Sequence, residues 1–237
     1  MTETGQKVAI VTGGSQGIGA GLVRAYRELG HTVIATSRSI EPSEDPGVVS
    51  LRGDIADPET AQRIVHEAVD RFGRIDTLVN NAGIYLGKPF TEYTLQDFNT
   101  AVAVNLAGFF HITTRTIKQM LERGRGHLVN ISTTRAEYAD ATVPAALAAL
   151  TKGGLVAVTR SLAIEYAAHG LRANAVSLGV IKTPMHDPSS YRSSAAVHPL
   201  GRVGEVEDVV GGILYLESAP FVTGEILHID GGQSAGH

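Results

Sequence analysis

Seven short apolar runs rich in β-branched residues punctuate the chain: "KVAIVTG" (7–13), "TVIATS" (32–37), "VVSLRGD" (48–54), "IDTLVNNAG" (75–83), "GHLVNIS" (126–132), "RANAVSLG" (172–179) and "EILHIDGG" (225–232). A strand with one wet face would alternate apolar and polar residues. Near-continuous apolar runs suit a parallel sheet covered on both faces. Helical patterns lie between them, such as "GIGAGLVRAYRELG" (17–30) and "DPETAQRIVHEAVDRFG" (57–73). In the second, Asp57 is a helix N-cap, Pro58 fits the first helical position and Gly73 fits the exit. The alternation predicts an α/β fold of one domain over 1–237: a doubly wound parallel sheet of seven strands, flanked by helices and joined by right-handed crossovers.

The first strand runs straight into "TGGSQGIGA" (12–20), which opens a helix. Glycines at 13, 17 and 19 permit a tight turn and let the backbone approach a pyrophosphate at the helix N-terminus, the Rossmann-type arrangement for a dinucleotide. The one long irregular stretch, "KTPMHDPSSYRSSAAVHPLGRVG" (182–204), is expected to be a loop serving as a substrate lid.

Composition narrows the function. A net charge of −4 without a basic run argues against a nucleic-acid partner, and the absence of cysteine excludes thiolate chemistry and disulfides. No metal site is expected, since the nine histidines show no ligand spacing with carboxylates. The N-terminus lacks a signal pattern, and no apolar run is expected to reach the ~20 residues of a membrane span, so the chain reads as soluble and cytoplasmic.

With "TGGSQGIG", "NNAG" (80–83), Asn105, Ser132, Lys152 and "SLGVIKTPM" (177–185) in this order, the chain resembles the short-chain dehydrogenase/reductase family over nearly its whole length. The spacing Gly-x3-Gly-x-Gly carries much of that likeness. The resemblance implies a nicotinamide dinucleotide held by Gly13, Ser15, Gln16, Gly17, Ile18 and Gly19, with Asp54 and Ile55 at the adenine and Asn81 and Gly83 near its ribose. It places Ile181 and Thr183 at the carboxamide and Lys152 at the nicotinamide ribose. Leu178 departs from the family's usual proline. Ser37 stands where NAD-preferring members carry Asp, and Arg38 can pair with a 2′-phosphate, so NADP(H) is expected as cofactor.

The resemblance also implies a catalytic set in which Ser132 orients the substrate, Asn105 holds a water and Lys152 supplies charge. The family's tyrosine, four residues before the lysine, is missing: Ala148 is there, and 139–151 contains no tyrosine. General acid catalysis contributes ~10²–10⁴-fold, so its loss is serious but leaves hydride positioning intact. Three substitutes for the acid stay open: Tyr138 on the following loop, a water relayed from Lys152, or an iminium substrate that needs no acid. Tyr85, His186, Tyr191 and His198 are candidates for the pocket wall.

The resulting expectation is an NADP(H)-dependent reductase of a C=O or C=N bond in a small or medium organic molecule. The alternatives are a catalytically silent NADPH-binding protein, and an ordinary carbonyl reductase whose tyrosine has been substituted. Surplus apolar residues in 95–123 and 145–169, together with the resemblance, imply a homotetramer, with a dimer as the second choice.

Overall fold

Strand and helix alternate throughout residues 5–236, which the computed structural model describes. The strands are β1 (Val8–Thr12), β2 (Thr32–Ser37), β3 (Val48–Arg52), β4 (Thr77–Asn80), β5 (Gly126–Thr133), β6 (Leu171–Leu178) and β7 (Ile226–Ile229). The helices are α1 (Gly17–Glu28), α2 (Pro58–Phe72), α3 (Leu95–Val102), α4 (Gly108–Arg123), α5 (Ala146–Tyr166), α6 (Tyr191–Ala195) and α7 (Val206–Ser218). All seven strands join one parallel sheet in the order β3-β2-β1-β4-β5-β6-β7. The expected single-domain, doubly wound architecture is therefore present.

Period-two alternation decides which residues face which helices. Val8, Ile10, Leu78 and Leu128 join a core with residues of α2, α4 and α5. Their neighbours Ala9, Val11, Val79 and Val129 point the other way, into a core with α1 and α7. Both faces are thus dry, which is why the strand sequences read as unbroken apolar runs.

Several ends differ from the sequence reading for local reasons. The run 75–83 forms a strand only over Thr77–Asn80. Before it, the Asp76 carboxylate accepts from the Val8 N–H and pairs with Arg74. After it, Asn81 turns to donate its N–H to Thr12 Oγ1. Asp57 caps α2 through Glu59 N, and Gly73 ends it in the left-handed region, as expected. The apolar stretch 95–123 is interrupted by a π turn at 103–107. Segment 182–204 is not structureless: it holds a 3-10 turn (Pro188–Ser190) and α6, and its ends are clipped together by Lys182 N to Gly204 O and Gly204 N to Val180 O.

One expectation needs correction. Residues 146–169 do form a 24-residue helical stretch long and apolar enough, by length and composition, to cross a membrane. In the fold it lies along β5 and β6, and its apolar side chains Leu147, Leu155, Val156 and Ala163 are buried there.

Candidate active site

The chain runs β1-β2-β3 outward, then returns to place β4 on the other side of β1. That reversal opens a crevice at the strands' carboxyl ends, where doubly wound sheets bind ligands. The cavity found there has a volume of about 670 Å³.

Its floor is the glycine loop. Gly13 (φ +69°) and Gly17 (φ +53°) occupy the left-handed region. A Cβ on Gly19 would lie 2.0 Å from Gly13 O, so any side chain there would force the loop apart. Asn81 fixes the loop from β4, its Nδ2 donating to Thr12 O and Gly13 O. The N-terminus of α1 is left open. Gln16, at the N-cap, makes no capping hydrogen bond, and the first turn has no acidic residue. By contrast, α2 and α3 are capped by Asp57 and Thr94. Uncapped N–H groups behind a glycine cradle favour an anion.

Ser37 and Arg38 line the cavity at the end of β2, with no carboxylate beside them on that wall. The Arg38 backbone carbonyl accepts from Arg52 Nε, and the Arg52 carbonyl from Arg63 Nη2, which ties the ends of β2 and β3 to α2. Asp54 and Ile55 line the wall after β3, where Asp54 Oδ1 also accepts from Ala56 N. Asp54 thus closes a local turn through Oδ1 while lining the cavity. Ser15, Gln16, Ile18, Gly83, Ile181 and Thr183 line the same cavity, with Thr183 packed against Gly17. Every residue expected to hold the dinucleotide is on this wall. The lining fits one: an uncapped helix end for pyrophosphate, and Ser37 and Arg38 in place of an acid at the end of β2 itself.

Lys152, on α5, lines the cavity and has no carboxylate partner among the described residues; Nζ donates to Ile131 O at 3.3 Å. Burial lowers its pKa to about 8. Ser132 is 2% exposed and reaches the cavity wall, yet its hydroxyl donates to Lys152 O at 3.1 Å. A hydroxyl has one proton to donate, and here it goes into α5. Thr133, the next residue, also lines the cavity; its Oγ1 accepts from Arg135 N at 3.3 Å and donates to Leu178 O only across a long 3.5 Å. In "ISTT" the two hydroxyls are adjacent, and spacing alone does not choose between them.

Asn105 sits in the π turn, 3% exposed and off the cavity wall. Its Oδ1 accepts from Ile84 N, and its Nδ2 donates to Ile84 O and Thr151 Oγ1. The side chain thus braces the loop after β4 that carries Gly83, with one acceptor site of Oδ1 unused. Tyr138 lies half-buried on the loop after β5 and does not line the cavity. Nor does Ala148, which is 3% exposed, so no open space adjoins its methyl group.

Of the further wall candidates, Tyr85 and His186 line the cavity, while Tyr191 and His198 do not. His198 is 3% exposed and ties β6 to β7: Nδ1–H donates to Asp230 O and Nε2 accepts from Val180 N. His186 Nδ1 is 3.0 Å from Ile181 O, a pure acceptor, so Nδ1 carries the proton and Nε2 is left as acceptor. Burial lowers its pKa, which favours that neutral form. Residues missed from sequence are Thr133, Arg135, Thr142, Val143 and Gln233, all on the cavity wall.

Comparison with known proteins agrees with this geometry. A family model described as enoyl-(acyl carrier protein) reductase matches residues 13–234. L-fucose dehydrogenase of Bos taurus is 36% identical, covering 98% of this chain and 90% of its own length. L-xylulose reductase of Mus musculus is 36% identical over 94% of this chain and 95% of its own. The solved structure of ElxO with NADP bound superposes with a TM-score of 0.91 at 31% identity, covering 98% of this chain and 100% of that one. The chain belongs to the short-chain dehydrogenase/reductase family.

Proposed function

We propose that this protein is an NADP(H)-dependent oxidoreductase that reduces a C=O or C=N bond of a small organic molecule. The observation that carries the reading is the donor set at the carboxyl edge: an uncapped α1 N-terminus beside Gly19, and Arg38 where an acid would select NAD. ElxO with NADP bound, so similar in fold, supports the same cofactor. The relatives that act on fucose and xylulose support a carbonyl or alcohol substrate. NADPH, when bound, supplies the hydride.

The chain's own residues do the rest. The glycine loop holds the pyrophosphate, Arg38 pairs with the 2′-phosphate and Lys152 donates to ribose hydroxyls. Ala148 occupies the position of the family's tyrosine, one helical turn before Lys152. With no phenol to supply the proton, the Lys152 ammonium, with a pKa of about 8, is suited to deliver it through water. Thr133 donates to the substrate heteroatom, because the Ser132 proton is engaged with Lys152 O. Val143 and Met185, with His186, give the remaining wall its apolar and acceptor character. Segment 182–204 serves as the lid.

The same reading carries assembly and location: a homotetramer in the cytoplasm. Phe110, Leu150 and Ile164 are 62%, 57% and 80% exposed on α4 and α5, an apolar face suited to further copies. NADPH consumption under a panel of ketones, sugars and cyclic imines tests the activity. Turnover with any class supports the reading. Saturable NADPH binding without hydride transfer to any member would favour the silent binding protein.

A further inference from the structure

Beyond the coenzyme half, the cavity wall carries a cation with no part in the reaction as described. Arg135 lies in the 3-10 turn after β5 (Thr134–Ala136), lines the cavity, and has a side chain only 8% exposed. Its ionic contact is Nη1 to Asp140 Oδ2 at 3.1 Å, an ion pair that takes up Nη1 alone; among the described residues Nε and Nη2 have no acceptor. A guanidinium has five N–H donors, so this contact leaves most of them unspent. The neighbouring wall residue repeats the pattern. Gln233 is 1% exposed; its Oε1 accepts from Thr134 Oγ1 at 3.0 Å, and its Nε2 is buried without an acceptor. Thr134 and Arg135 are consecutive, so two unspent donor groups flank one turn.

The surroundings select the sign of what they meet. Burial raises the pKa of Tyr85, and the Arg135 charge draws it back, which places both at one end of the cavity. Among the described residues the only carboxylate on the cavity wall is Asp54, at the end after β3. The other ionisable groups near the reacting side are Lys152 and His186. Buried donors without acceptors cost free energy, and an anionic oxygen relieves that cost best. Asp140 already offsets part of the Arg135 charge, which matches a monoanion better than a doubly charged phosphate.

We propose that Arg135 is the specificity-determining residue for a small oxo or hydroxy acid, accepting its carboxylate beside the Gln233 amide while the reacting carbon faces Thr133 and Lys152. This rests on reading the cavity as a reductase site.

The test is calorimetric titration of the protein, free and with NADPH, with C4 to C6 oxo acids and their methyl esters. Each acid of fitting length is expected to bind about 10- to 100-fold more tightly than its ester, the range for a charge-assisted hydrogen bond. Arg135→Gln should erase that preference without altering NADPH affinity. Arg135→Lys should keep part of it, and Asp140→Asn should widen it. Equal affinities across every acid–ester pair overturn the proposal. So does an unchanged ratio in Arg135→Gln with only a lower melting temperature, which would make the Arg135–Asp140 pair a brace for the loop. Tighter binding of dihydroxyacetone phosphate than of any oxo acid would overturn the carboxylate assignment. Failure of NADPH to bind contradicts the reductase reading alone, because the ratio on the free protein still decides Arg135.

Discussion

On the proposed reading, Lys152 and Arg38 carry proton delivery and coenzyme choice. A lysine with its pKa lowered to about 8 is an ammonium below that pH and an amine above it. If it delivers the proton, kcat/KM for reduction should stay level at lower pH and fall as pH rises through about 8; a profile flat to pH 10 would contradict that role. Lys152→Met should lower the rate by ~10²–10⁴-fold at pH 7, the usual contribution of general acid catalysis. Arg38→Ser removes a charge-assisted pair, so NADPH affinity should drop about tenfold or more while NADH affinity stays level, as read by fluorescence titration. Thr133→Val and Ser132→Ala separate the two hydroxyls: only the first should cost kcat if the free proton belongs to Thr133. This is also where sequence was least informative. The pattern "ISTT" contains the right chemistry, but which hydroxyl faces the cavity depends on the strand's pleat and on an acceptor in α5. Arg135 and Gln233 stand far apart in sequence, and neither has a motif to mark it.

At the scale of elements, the glycine loop, α2 and the strands were legible because each has a local cause: glycines at left-handed positions, Asp57 and Gly73 at the helix ends, and β-branched runs buried on both faces. Gly19→Ala should test the loop directly. With its Cβ 2.0 Å from Gly13 O, the α1 start must move, and NADPH binding should weaken about a hundredfold, ~2.7 kcal/mol. Unchanged binding in a folded variant would remove the loop from the site. The π turn at 103–107 and the small elements within 182–204 were not legible. A π turn comes from tertiary demand, here the Asn105 clamp on Ile84, and no residue pattern announces it. The expectation that no stretch resembles a membrane span failed because α5 is apolar both on the face along β5 and β6 and outside it, at exposed Leu150 and Ile164.

The whole molecule is held from the opposite edge of the sheet. There Glu217 of α7 accepts from His127 Nδ1 at 2.8 Å, from Thr77 Oγ1 at 3.0 Å and from Tyr26 OH at 3.3 Å, linking α7 to β5, β4 and α1. Asn174 Nδ2 donates to His127 Nε2, which fixes the ring proton on Nδ1. Burial raises the Glu217 pKa, but the His127 and Thr77 hydrogen bonds outweigh it and hold the carboxyl at about 2. A depressed carboxylate contributes stability above its unfolded value of 4.5 and loses it as pH falls through about 2. Melting temperature should therefore decline between pH 4.5 and 2, and Glu217→Gln should flatten that slope and cost on the order of 3 kcal/mol at pH 7.

This edge stabilises the fold, while the carboxyl edge, where the strand order reverses, opens the cavity proposed to take the coenzyme. The most direct check on that division is a titration of the intact protein with NADPH and NADH, followed by coenzyme fluorescence. Saturable binding of NADPH, markedly tighter than of NADH, is the expected result; no saturation with either, or a preference for NADH, would contradict the account.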